Sequence, residues 1–163
     1  MAAEMHIREM QESDRDAVMR LFNHYAETSF AAYPDGPLPP QFFPLLREGA
    51  VSAIVLEGTD GIAGFGLLKP FFPFPAFKTT GMVTYFIAPG YTGKGLGALL
   101  LSRLNDDAKK KGIRTLLANI SSKNEGSVRF HAKQGFTVAG TLAGVGEKFG
   151  EPFDVVWMQR PVE

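Results

Sequence analysis

Residues 88 to 97 read Ala88-Pro89-Gly90-Tyr91-Thr92-Gly93-Lys94-Gly95-Leu96-Gly97, and the fold turns on what lies on either side of them. Before them, Thr79 to Ala88 has the β-branched and aromatic character of a strand. After them, Leu99, Leu100 and Leu104 recur at helical spacing and predict a helix from Gly95 to Lys111, before Thr115 to Ile120 returns to a strand pattern. Strand, helix, strand in that order is a crossover unit, so the two strands lie parallel. Gly93, Gly95 and Gly97, at every second position, expose backbone N–H groups where the helix start adds its positive partial charge. That combination suits a phosphate or pyrophosphate.

The chain as a whole offers anions no field, because 17 Lys and Arg balance 17 Asp and Glu. A local device suffices all the same: each hydrogen bond to a charged group contributes about 1.5 to 3 kcal/mol, and several amides can converge. Glycine loops also serve ordinary tight turns, so the loop alone leaves both readings open. Two other phosphate motifs fail here. The GxxxxGK[ST] of a P-loop is absent, and the strand Thr115 to Ile120 lacks the acidic ribose partner of a dinucleotide site.

Outward from this unit the chain reads as one domain over residues 1–163, long enough for one sizeable core. A strand from His6 to Met10 precedes a helix from about Ser13 to Thr28, with Ser13 as N-cap and Asp14 and Asp16 in the acidic first turn. Clustered prolines from Pro34 to Pro44 favour a loop, then at most a short helix around Phe42 to Glu48. Val51 to Glu57 and Ile62 to Lys69 form a hairpin through Gly58-Thr59-Asp60-Gly61. The Phe- and Pro-rich stretch Pro70 to Phe77 reads either as a loop stapled to the core or as an aromatic wall for a ligand or a second subunit. A helix from Asn124 to Gln134, closed by Gly135, is followed by strands near Phe136 to Leu142 and Asp154 to Arg160.

The balanced charge gives no reason to expect a nucleic-acid or membrane partner. The absence of cysteine excludes disulfides, thiolate metal sites and an acyl-cysteine intermediate, and no metal is expected. MAAEMHIREM lacks the layout of a signal peptide, so a soluble cytoplasmic protein is expected. Asn124, Ser127 and His131, spaced i, i+3, i+7, share one face of the second helix and can address one ligand.

The run Thr92-Gly93-Lys94-Gly95-Leu96-Gly97 resembles motif A of the GNAT acetyltransferases, and Asn124 to Phe136 resembles motif B in the expected order. Asn23 to Ser29, the Ala76-Phe77 region, Val145 to Gly150 and Asp154 to Gln159 are similar to the phosphinothricin acetyltransferase-like branch. The resemblance implies an α/β (α+β) fold, with a mixed sheet of about six or seven strands splayed between two parallel strands and about four flanking helices. It further implies acetyl-CoA as cosubstrate, with pantetheine in the splayed gap. Backbone from Phe86, Ile87 and Ala88 would bond it, the turn from Thr92 through Gly93, Lys94, Gly95 and Leu96 to Gly97 would hold its pyrophosphate, and Asn124 and Ser127 would lie beside it.

Three positions depart from the family pattern. Thr92 replaces the usual Arg or Gln, leaving the backbone to hold the phosphates. His131 stands where many members have a tyrosine that protonates the leaving thiolate, although histidine resembles usage in this branch. Met82 occupies the position where the branch tends to have a glutamate base.

Acetyl transfer needs a neutral amine. One with pKa about 10.4 is neutral in roughly one molecule in 2,500 at pH 7, costing about 4.6 kcal/mol, whereas an α-amino group near 8 costs about 1.4. His131, ordinarily titrating near 6.5, is the best side chain for proton traffic, with Asn124 beside it as catalytic candidate or plain N-cap. A helix histidine bonded to a neighbouring carbonyl is the plainer reading of His131. Glu27, Tyr33, Phe74 and Tyr85 are the acceptor-binding candidates, with Glu27 also a remote base through water. The expected reaction is direct attack by a small-molecule amine, an amino acid or its analogue, in a ternary complex. The rival is a non-catalytic acyl-CoA-binding module. A homodimer through a sheet edge or the Phe-Pro loop is left open.

Overall fold

The computed structural model describes residues 4–163. Its seven strands are β1 (His6–Glu9), β2 (Ser52–Gly58), β3 (Gly61–Pro70), β4 (Thr80–Ile87), β5 (Thr115–Ser121), β6 (Thr137–Lys148) and β7 (Glu151–Pro161). They form one sheet in the order β1-β2-β3-β4-β5-β7-β6. Every neighbouring pair is antiparallel except β4 and β5. The helices are α1 (Arg15–Thr28), α2 (Phe43–Arg47), α3 (Leu96–Lys110) and α4 (Glu125–Lys133).

The two faces of the sheet bury separate cores. On one face Val18, Leu21, Phe22 and Ala26 of α1, with Phe43 of α2, pack on Val55, Phe65 and Phe86. On the other, Leu100, Leu101, Leu104 and Ala108 of α3 pack on Ile54, Leu56, Leu68 and Leu116. Each fully buried side chain of this size contributes about 1.5–3 kcal/mol, and both cores meet on β2, β3 and β4, the last of which forms one wall of the site.

Two local readings are corrected. The first helix begins at Arg15, not Ser13, because the chain first makes a short 3-10 turn over Glu12–Asp14. Asp14 folds back to accept the Gln11 amide at 2.7 Å and a paired Arg8 guanidinium at 2.9 Å. The last two strands run several residues past Leu142 and start before Asp154, joined at Phe149-Gly150, both with positive φ (54° and 74°). Two consecutive left-handed residues form the tight turn that suits a twisted hairpin. Nearly all of β6 is exposed on both faces, so burial imposes no alternating pattern on its sequence, and its glycines look like punctuation.

Candidate active site

The parallel pair β4 and β5 is joined only from Thr80 to Met82 and from Thr115 to Leu117. Both strands continue, to Ile87 and Ser121, and between them opens a cleft of about 870 Å³ walled by β4, β5, the turn after β4 and α4. Pleating decides which β4 backbone groups face it. The Ala88 amide donates to the Ala63 carbonyl at 2.8 Å, and Phe86 lies opposite Phe65 in the same register. Alternate residues of an antiparallel strand bond to the same neighbour, so Phe86 and Ala88 face β3, while Tyr85 and Ile87 turn their backbones to the gap. Of the three predicted anchors, Ile87 alone presents its amide there, and Tyr85 is the second. The Ile87 carbonyl already accepts the Tyr25 hydroxyl.

The turn at the end of β4 places Gly93 and Gly95 at φ 75° and 78°. No atom lies within 4 Å of where a Cβ would stand at either position, so backbone conformation, not space, calls for glycine there. Gly97 is glycine for the other reason: a Cβ would lie 3.3 Å from the Phe130 ring of α4. Gly95 is the N-cap of α3 and no side chain caps the helix, so its first-turn amides remain as donors for an anion. The Thr92 hydroxyl donates to the Pro89 carbonyl at 3.1 Å, tying the turn to itself.

On α4, Asn124, Ser127 and His131 all reach the cleft wall. Asn124 is the N-cap, its side chain accepting the Ser127 amide at 3.3 Å. His131 is 4% exposed. Its Nδ1 lies 2.7 Å from the Ser127 carbonyl, which can only accept, so Nδ1 carries the proton. Nε2 is then an acceptor, and it meets the Tyr85 hydroxyl, which donates to it. The two rings stack with centroids 5.5 Å apart. Burial, chiefly, holds His131 below its ordinary value and raises the Tyr85 phenol far above its own. At neutral pH the pair is therefore a neutral imidazole and an intact phenol.

The opposite end of the cleft is closed by the loop after α1. Tyr33 donates to Asn119 Oδ1 on β5 at 2.8 Å and stacks on Phe153 with centroids 5.8 Å apart. Lys148, 2% exposed, anchors this loop by donating to the carbonyls of Ser29 and Ala32 at 2.5 and 2.6 Å.

The sequence profile of the Acetyltransferase (GNAT) family matches residues 18–136. The chain belongs to this family. It is 31% identical to the phosphinothricin N-acetyltransferase of Streptomyces coelicolor, with 98% of each chain covered. It is 30% identical to the L-methionine sulfoximine/L-methionine sulfone acetyltransferase of Salmonella typhimurium, covering 98% of this chain and 95% of that one. Among solved structures, an acetyltransferase from Salmonella typhimurium with its cofactor acetyl-CoA is 30% identical, with a TM-score of 0.87, over 98% of this chain and 94% of that one. This GNAT enzyme thus lies in the phosphinothricin acetyltransferase-like branch, and it is an acyltransferase.

Some predicted residues of this GNAT chain fall outside the cleft lining. Phe74 is 64% exposed in the Phe-Pro loop, and Glu27 is exposed on α1. Lys94 also lies outside, its ammonium 5.5 Å from the Tyr91 ring centroid. Met82 sits in the closed part of the β4/β5 pair, below the point where the gap opens. Conversely, Tyr25, Asn119 and Lys148 were not read as site residues. Asn119 had a signal, a polar amide inside an apolar strand, where Asn is depleted; the roles of Tyr25 and Lys148 depend on tertiary contacts. Among the described residues no cluster of His, Cys, Asp and Glu is placed to hold a metal.

Proposed function

We propose that this enzyme transfers the acetyl group of acetyl-CoA to the amino group of a small amino acid or amino-acid analogue by direct attack in a ternary complex. The observation that carries the reading is the gap beyond Met82: two gap-facing β4 amides, a glycine turn with free helix-start amides at one end, and a mouth bordered by Tyr33 and Asn119 at the other. Those parts fit an extended thioester with a diphosphate, and the relatives' names supply the acceptor class. In this reading the amides of Gly93 to Gly97 hold the pyrophosphate, Tyr85 and Ile87 hold the pantetheine arm, and Asn124 and Ser127 flank it. A β4 amide polarises the thioester carbonyl. His131 carries the proton, and Tyr33 with Asn119 borders the acceptor.

We also propose a cytoplasmic location, which localisation of a tagged protein would test; separately, no helix among the described residues is long and apolar enough to cross a membrane. We further propose that two copies pair through a sheet edge. The support is β6, a 12-residue edge strand exposing Val138, Leu142 and Val145, because a long apolar edge invites pairing. Calorimetry with acetyl-CoA, followed by turnover on a panel of amino acids, amino-acid sulfones and sulfoximines, aminoglycosides and a protein lysine, tests the function. Binding and turnover confined to the amino-acid class are expected. Binding with no turnover on any amine would select a CoA-binding module instead, and acetylation of protein lysine alone would reject the acceptor class.

A further inference from the structure

Both nitrogens of His131 are already engaged, Nδ1 by the Ser127 carbonyl and Nε2 by the Tyr85 hydroxyl. The ring edges are otherwise enclosed by Phe130 and Phe136, whose centroids lie 5.2 and 5.0 Å away. An amine or thiolate in the cleft therefore has no free imidazole nitrogen to touch. Tyr85 lines the cleft beside it, and its phenol oxygen donates its one proton to Nε2 and keeps lone pairs to accept another. Tyr85 lines the cleft from β4, on the strand whose backbone faces the gap.

We propose that Tyr85 is a catalytic residue, the port through which protons reach and leave His131. This rests on the acetyl-transfer reading above. As the amine nitrogen bonds to the thioester carbon, the carbonyl π pair moves to oxygen. The nitrogen then releases a proton to the Tyr85 oxygen while the Tyr85 proton passes to Nε2. The pair on oxygen then re-forms the carbonyl π bond as the C–S bond breaks, and the C–S electron pair leaves on sulfur. The sulfur takes the Tyr85 proton, and Nε2 returns its proton to Tyr85. One proton has moved from nitrogen to sulfur, and both residues are restored.

A single pair thus serves as base and then as acid, which accounts for a chain with Met82 where a carboxylate would otherwise stand. The proton need not rest on the phenol, because the exchange is concerted through it; the phenol's strong resistance to ionisation is no obstacle. Burial first, and Arg160 to a lesser degree, disfavour the imidazolium.

Tyr85→Phe keeps the ring and its stacking and deletes only the oxygen. The expected result is a fall in kcat of about 100-fold or more, with KM and Kd for acetyl-CoA within about threefold of wild type. His131→Gln should lose a similar factor, and the double variant should be no worse than the poorer single one, since the two act as a unit. Nitrogen-15 NMR of the imidazole provides a readout apart from turnover: Nδ1 protonated in wild type and in Tyr85→Phe, with Nε2 losing its hydrogen-bonded shift in the variant. A Tyr85→Phe enzyme within about threefold of wild-type kcat overturns the relay, as do losses that multiply in the double variant or an unprotonated Nδ1. A wild-type protein that binds acetyl-CoA and acetylates nothing removes the acetyl-transfer reading itself and takes the relay with it.

Discussion

At the scale of single residues, the relay proposed above makes the pH response of the enzyme follow His131. Burial lowers its pKa from 6.5, so the neutral form required by the relay persists below pH 6.5 and is lost only as pH falls through the folded value. The acid limb of kcat/KM should therefore have its midpoint below 6.5 and should flatten in His131→Gln; a midpoint above 6.5 would contradict the burial. Stability follows the same sign: the unfolded chain binds the proton first, so this contribution is present above 6.5 and declines toward acid. Gly95 makes a second residue-level point. At φ 78° with open space around it, Gly95→Ala meets no neighbour, yet the left-handed backbone costs about 1–2 kcal/mol. Thermal denaturation should show that loss. Calorimetry should show acetyl-CoA binding weakened about 10-fold, as turn amides shift off the diphosphate.

At the scale of elements, the last hairpin governs the acceptor end. A Cβ on Gly146 would overlap the Phe153 ring, and that ring supports Tyr33. Gly146→Ala should raise KM for the acceptor about tenfold while Kd for acetyl-CoA holds, as steady-state kinetics and calorimetry would show. The two ends of the cleft differ in how far the sequence announces them. The turn from Gly90 to Gly97 and the crossover around it were legible because local rules, glycine conformation and helical periodicity, decide them. So was the shared face of Asn124, Ser127 and His131. Both strands of the hairpin were legible too, but not their extension to the turn at Phe149-Gly150, because an edge strand exposed on both faces leaves no alternation to read. Nor was the fact that Tyr85 and Ile87, not Phe86 and Ala88, turn their backbones to the gap, because register decides it and register belongs to the pairing with β3. Phe74 looked like a ligand wall on composition alone, and its exposed position shows that aromatic content does not fix direction.

Across the whole molecule, two cores lie on opposite sheet faces and only β4 serves both cores and the cleft wall, so a loss deep in one core leaves the other face of that wall supported. Leu104, fully buried on α3 away from the glycine turn, tests this. Leu104→Ala should cost about 2–5 kcal/mol in denaturant unfolding while kcat at a temperature well below Tm stays near wild type. A large fall in kcat would mean that the wall is softer than its packing implies. Lys148 connects the scales, since its ammonium joins carbonyls 119 and 116 residues earlier in the chain. A tie of that span cannot close until Lys148 itself has been made. On the ribosome, the growing polypeptide would assemble its glycine turn and crossover first. It would remain unable to recognise an acceptor until the hairpin beyond Gln134 had emerged and docked.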